Sequence, residues 1–149
     1  EGCVSPTSLR KFMKEENIWP PSKDNEIWYH HGAWWINFDM MKEVFGKIDN
    51  IQDYYSLSAY LQYEGLRYAV ESNIRRAQQC GGTMPWQLNE PYPNASCTSS
   101  IDYYGEKKAG YFAVKMAYEP VHVSLKYDSI CFNDKIKFYI NPTGVFIIG

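Results

Sequence analysis

Trp86, Gln87, Asn89 and Glu90 are gathered in one short stretch, CGGTMPWQLNEPYPNASC, running from Cys80 to Cys97. An aromatic ring beside amides and a carboxylate suits a polyhydroxylated ligand, because a sugar's C–H face packs on a ring while its hydroxyls bond at the edge. Rings also build cores, and the 13 Tyr, 7 Phe and 5 Trp that make up 17% of the chain do not separate the two uses. A second group, Trp28, His30, His31, Trp34 and Trp35, falls in an irregular stretch over 17–36. Loops of that length tend to be functional, so these side chains either line a cleft or plug the loop against the body of the fold. His30 and His31 point to opposite sides if extended, which argues against one shared metal. Cys3, Cys80, Cys97 and Cys131 show no CxxC spacing, so no zinc site is expected; a Cys80–Cys97 disulfide and free thiols both stay open.

The elements that would carry these residues follow from pattern. Thr83 to Leu88 reads as a buried parallel strand delivering side chains to its polar, proline-fixed end. Ser5-Pro6-Thr7 is a helix start, with Leu9, Phe12 and Met13 on the apolar side. Phe38 to Asp49, capped by Asn37, carries Met41, Val44, Phe45 and Ile48 on one stripe. Asp53 to Gln79 predicts one long helix with two apolar rows, and Glu64, Arg67, Glu71, Arg75 and Arg76 at polar positions. Gly65 in its middle suggests close packing there. Asp102 to Gly105 is a turn, and Lys107 to Tyr118 a helix stopped by Pro120. Beyond it the period changes to alternation: Val121, Val123, Leu125 and Tyr127, then Ile136, Phe138 and Ile140 after a turn near Phe132 to Asp134, then Val145 to Ile148.

With 149 residues, a formal net charge of -2 and pI about 5.9, the chain has no basic run to meet nucleic acid. No apolar stretch approaches the roughly 20 residues of a membrane span. No metal or cofactor is expected. Asn94-Ala95-Ser96 is a glycosylation sequon.

The run MPWQLNEPYPNASCTSSIDYYGEKKAGYFAVKMAYEPVHVSLKY resembles the end of the catalytic barrel and the start of the following β-sandwich in glycoside hydrolase family 2, within it the β-mannosidase branch. EGCVSPTSLRKFM and IWYHHGAWW resemble that branch's chain after the seventh barrel strand. The resemblance implies an α/β fold: residues 1–119 the C-terminal part of a (β/α)8 barrel, and residues 120–149 the first strands of an immunoglobulin-like β-sandwich. A complete barrel takes about 250 residues, so the expectation is a piece of a longer enzyme, inactive alone.

The resemblance also implies chemistry. Retaining glycosidases use two carboxyls about 5 to 5.5 Å apart, one as nucleophile and one as acid/base. In this family they come from the fourth and seventh barrel strands, and the fourth is not expected in this chain. The seventh carries Ser-Glu, a variable residue, then Gly. Glu1 directly before Gly2 therefore takes the variable position, with the nucleophile one residue upstream, or is itself the nucleophile if the spacing departs by one. Asn89-Glu90-Pro91 looks like an acid/base motif, but its Trp-Gln and Tyr-Pro flanks match the eighth strand, which makes Glu90 a loop or supporting carboxylate. Trp86 is the implied sugar platform, with a cis peptide to Gln87, and Gln87, Asn89, His31 and Trp34 complete the substrate-binding set. The implied partners are a β-linked mannoside or related glycoside, the remainder of the chain's own barrel, and accessory β domains, with no nucleic acid and no membrane. Carbohydrate binding without catalysis, or a purely structural piece, are the alternatives.

Overall fold

The computed structural model describes residues 2–32, 36 and 38–126, and the backbone of 137–140. Along the chain run β1 (Gly2–Cys3), α1 (Pro6–Leu9), α2 (Glu15–Ile18), α3 (Glu26–His30), α4 (Phe38–Phe45), α5 (Ile51–Ile74), β2 (Ser96–Cys97), α6 (Ala109–Ala117), β3 (Val123–Lys126) and β4 (Lys137–Ile140). The helix start at Ser5 is as expected: its hydroxyl accepts from Ser8 N at 3.1 Å, and Pro6 opens the first turn.

The stretch over 17–36 is more regular than its composition suggests. Asn25 caps α3 by accepting from Ile27 N and Trp28 N, at 2.9 and 3.3 Å. That cap turns Trp28 fully into the core, where its Nε1–H donates to Asn17 O at 2.8 Å. Trp28 is thus a packing residue and not a cleft wall. It meets Tyr54 edge-on at 6.4 Å, Tyr54 meets Phe38 at 5.6 Å, and Phe38 meets Trp19 at 5.8 Å. Such offset contacts suit ring quadrupoles. They join α3, α4 and α5 around a core that includes Leu9, Met13, Ile18 and Met41.

Helix boundaries shift for local reasons. α4 stops at Phe45, short of the expected Asp49, because Gly46 takes φ +79° and ends it. α5 starts before the expected Asp53, since Asn50 accepts from Asp53 N at 3.0 Å, and it ends at Ile74. Its most buried positions are Tyr54, Ser58, Gln62, Val70 and Glu71, so polar residues share the buried stripe that the apolar rows were expected to own. Ser58 Oγ accepts from Cys3 N at 3.0 Å. Gln62 donates to Ser99 O and Thr98 O, at 3.0 and 3.2 Å, and accepts from Gly110 N at 3.4 Å. These side chains satisfy backbone groups left unpaired by the short strands and by the first turn of α6.

Gly65 has nothing within 4 Å of where a Cβ would stand, so it is not the close-packing glycine expected. That position is Gly110, where a Cβ would come 2.7 Å from Leu66 Cδ1 and 3.0 Å from Gln62 Cδ. α6 lies against α5 through this contact.

Thr83 to Leu88 is not a strand. Strands exist by hydrogen bonds to a neighbour, Pro85 has no donor, and the ladder reaches only Gln87 O and Leu88 O, which accept from Ser100 N and Ile101 N at 3.0 and 2.8 Å. Among the described residues a single parallel bridge, Asn89 to Ile101, is what remains. β1 and β2 pair antiparallel, Gly2 with Cys97 and Cys3 with Ser96. After α6 the chain turns to strands, and β3 and β4 pair antiparallel from Val123 with Ile140 to Lys126 with Lys137. The expected cap Asn37, the turn near Phe132 to Asp134 and the run Val145 to Ile148 lie outside the described residues.

Candidate functional site

Trp86 is 74% exposed, beside a cavity of about 210 Å³ whose other walls are Leu61, Gln62, Gly65, Leu66 and Thr98. The missing side chain of Gly65 helps leave that space open. The peptide bond between Trp86 and Gln87 is cis, as the resemblance implies. Asn89 is exposed, with its backbone on the bridge to Ile101. Met84 and Leu88 flank Trp86 and are exposed too.

Glu90 turns the other way and is 4% exposed. Its Oε2 accepts from Asn94 Nδ2 at 2.7 Å and from Gln87 Nε2 at 3.4 Å. Among the described residues no donor sits in hydrogen-bond geometry at Oε1. Burial pushes the carboxyl up, but nearby Ser99, Cys97 and Asn94 and the Lys108 ammonium outweigh it and hold Glu90 below the usual carboxylate range. Lys108 is itself buried, its Nζ donating to Cys97 O at 2.7 Å, and that burial lowers its pKa.

His31 meets the same stretch at its other end. Its Nδ1 lies 2.7 Å from Pro93 O, and a carbonyl only accepts, so the network assigns the proton to Nδ1. In the neutral ring Nε2 is then an acceptor. The ring stacks on Tyr92 at 5.5 Å and touches Phe12 at 4.6 Å. Burial lowers its pKa, the Pro93 bond works against that, and His30 adds to the lowering. Ala95 N donates to His31 O at 2.7 Å, and Gly32, at φ +94°, lets the chain pass within 3.1 Å of Asn94 Oδ1 and Ser96 O at its Cβ position.

The fold therefore gathers Gln87, Glu90, Asn94 and His31 along one stretch, with Trp86 facing α5 at its start. Glu1 and Trp34 lie outside the described residues, as do Trp35 and Cys131. Cys80 and Cys97 are free, so the Cys80–Cys97 disulfide is not formed, and burial pushes the Cys3 thiol up to about 12. No group of His, Cys, Asp and Glu among the described residues has a metal-holding arrangement, and none of the described helices is long and apolar enough to cross a membrane. In the sequon the Asn94 amide is engaged by Glu90, and Ala95 and Ser96 are buried. Gln62 and Lys108 were not singled out by sequence. Gln62 had a signal, since it repeats the Tyr54 and Ser58 positions at helical spacing; Lys108 had none beyond its charge.

No family model matches the chain. An exo-β-D-glucosaminidase of Amycolatopsis orientalis is 26% identical over 95 residues, which are 61% of this chain and 9% of that protein. β-Mannosidase B of Aspergillus niger is 29% identical over 80 residues, 52% of this chain and 9% of that protein. Among solved structures, the β-D-mannosidase of Dictyoglomus thermophilum superposes with a TM-score of 0.72 at 24% identity, over 85% of this chain and 16% of that one. The exo-β-D-glucosaminidase CsxA superposes with a TM-score of 0.73 at 22% identity, with the same coverage. The chain thus spans only a small part of the proteins it matches, and its fold is that of a portion of a larger domain. The resemblance read from the Trp86 motif holds: this chain is similar to a small part of the β-mannosidase and exo-β-glucosaminidase hydrolases of glycoside hydrolase family 2.

Proposed function

We propose that this chain contributes part of the sugar site of a retaining glycoside hydrolase that cleaves β-mannosidic or related β-glycosidic bonds. In this reading residues 1–119 are the last β/α units of a (β/α)8 barrel, and residues 120–149 begin an immunoglobulin-like β-sandwich. The observation that carries it is the Trp86 ring, three-quarters exposed above a cavity, with Gln87 and Asn89 beside it. A ring so placed offers a face to the C–H side of a sugar, and the amides offer donors and acceptors to its hydroxyls. The hydrolase relatives support the same reading.

The nucleophile is Glu1 or the residue before it, the acid/base comes from elsewhere in the polypeptide, and the bond is broken by double displacement between two carboxyls. His31 and Trp34 complete the substrate-binding set. The remaining barrel strands and accessory β domains are the chain's own partners. The test is to express the polypeptide at its full encoded length and assay aryl β-mannosides and aryl β-glucosaminides. Turnover with retention at the anomeric carbon is expected. No turnover of either, or inversion, overturns the reading.

A further inference from the structure

Glu90 is buried and lies within reach of two amides, and its charge decides which way those amides face. An ionised carboxylate only accepts, so Asn94 and Gln87 both turn their NH2 ends toward Oε2, at 2.7 and 3.4 Å. Each amide then carries its carbonyl oxygen away from Glu90. For Asn94 that oxygen sits beside Gly32, within the chain's own fold. Gln87 is bonded directly to Trp86 and only half-buried, so its carbonyl oxygen is left for a donor that the described residues do not supply.

Resting on the function proposed above, we propose that Glu90 is a positioning residue: through the Gln87 NH2 it fixes Gln87 Oε1 as an acceptor for a hydroxyl of the sugar lying on Trp86, and it exchanges no proton in the reaction. Two features separate this from an acid/base group. With 4% of its surface exposed, Glu90 leaves no room for a leaving oxygen at hydrogen-bond distance. Its surroundings also favour the charged form, whereas a general acid must begin protonated; Ser99, Cys97, Asn94 and Lys108 together outweigh the burial that works against the charge.

Glu90→Gln would remove the constraint, since an amide can donate as well as accept and so tolerates either orientation of the Gln87 side chain. The experiment is a double-mutant cycle in the full-length polypeptide with Glu90→Gln, Gln87→Ala and the pair, assayed on aryl and alkyl β-glycosides. Glu90→Gln is expected to lower kcat/KM by about tenfold or more, equally for good and poor leaving groups, and to cost nothing further once Gln87 is alanine. A loss confined to poor leaving groups would mark Glu90 as the acid. An equal loss in the Gln87→Ala background would mark a purely structural role. Either overturns the proposal. If Glu90→Gln fails to fold, Glu90→Asp, which keeps the charge and shortens its reach, enters the same cycle with the same expectations. Absence of turnover in the wild type overturns the proposed function and this inference together, whereas a failed cycle on an active wild type overturns only the inference.

Discussion

His122 Nε2 lies 2.9 Å from Glu71 Oε1, tying the chain just ahead of β3 to the C-terminal part of α5. Glu71 is 1% exposed and also accepts from Arg67 Nη1, at 2.9 Å to each oxygen, while Arg75 Nη1 stands 3.7 Å from Oε2. Arg67 is shared in turn with Glu64, at 2.6 Å. One carboxylate therefore gathers three cationic or protonatable groups where the helical part meets the strands. Removing one member of such a buried set leaves the others uncompensated, so Glu71→Ala should cost about 3 kcal/mol or more. His122→Ala should cost about 1 kcal/mol, the loss of one partly buried hydrogen bond. Urea unfolding of the two variants checks this; a Glu71→Ala cost no larger than that of His122→Ala would mean water already reaches the network.

Two glycines should respond to alanine with opposite signs. At Gly110 the new methyl meets Leu66 Cδ1 at 2.7 Å and the Gln62 side chain at 3.0 Å, so overpacking should cost about 1 to 3 kcal/mol. At Gly65 nothing lies within 4 Å, and the gain in helix propensity should stabilise by up to about 1 kcal/mol. Thermal unfolding reads both, and destabilisation by Gly65→Ala would show that α5 is more crowded near Trp86 than its contacts indicate.

The 149-residue chain alone should not hydrolyse aryl β-mannosides, because the proposed acid/base lies outside it. In the full-length polypeptide Trp86→Ala should lower turnover by about a hundredfold, since misplacing the sugar disturbs the reacting atoms. Its ring is mostly exposed, so unfolding should shift little. Near-normal turnover in the variant would leave the platform without support.

His31 should write a signature on the pH dependence of stability. Burial holds its folded pKa below the ordinary value near 6.5, so between the two values the unfolded chain binds more protons. Stability should therefore fall as pH drops below about 6.5 and level off beneath the folded value. Glu90, whose folded pKa is also low, adds a separate loss as pH falls through its own folded value, below the ordinary carboxylate range. His31→Asn keeps a donor for Pro93 O and removes the titration. Unfolding measured across this range should show the step near neutrality vanish in that variant; its persistence would assign the step to another group.

By itself the sequence determined the local events and the kinship. Ser5-Pro6 starts a helix because a hydroxyl cap and a fixed φ act within one turn, Pro120 follows α6 because proline cannot continue it, and the Trp86-Gln87-Leu88-Asn89 run carried the resemblance that the relatives uphold. Only the tertiary structure decided where polar groups would be buried. Helical spacing from Tyr54 and Ser58 puts Gln62 on the buried face, but nothing in the periodicity of α5 says that a polar side chain there, or Glu71, would be satisfied, since their burial is repaid by Ser99 O, Gly110 N, Arg67 and His122, which come from distant parts of the chain or from neighbouring turns. Thr83 to Leu88 has the composition of a strand entering a site, yet a strand is made by its neighbours, and within the described residues only Ser100 and Ile101 offer it backbone hydrogen bonds. The direction of Glu90, inward to two amides while Trp86 stands exposed beside α5, was likewise set by its surroundings, Cys97, Ser99 and Lys108, neighbours that no spacing along the stretch could express.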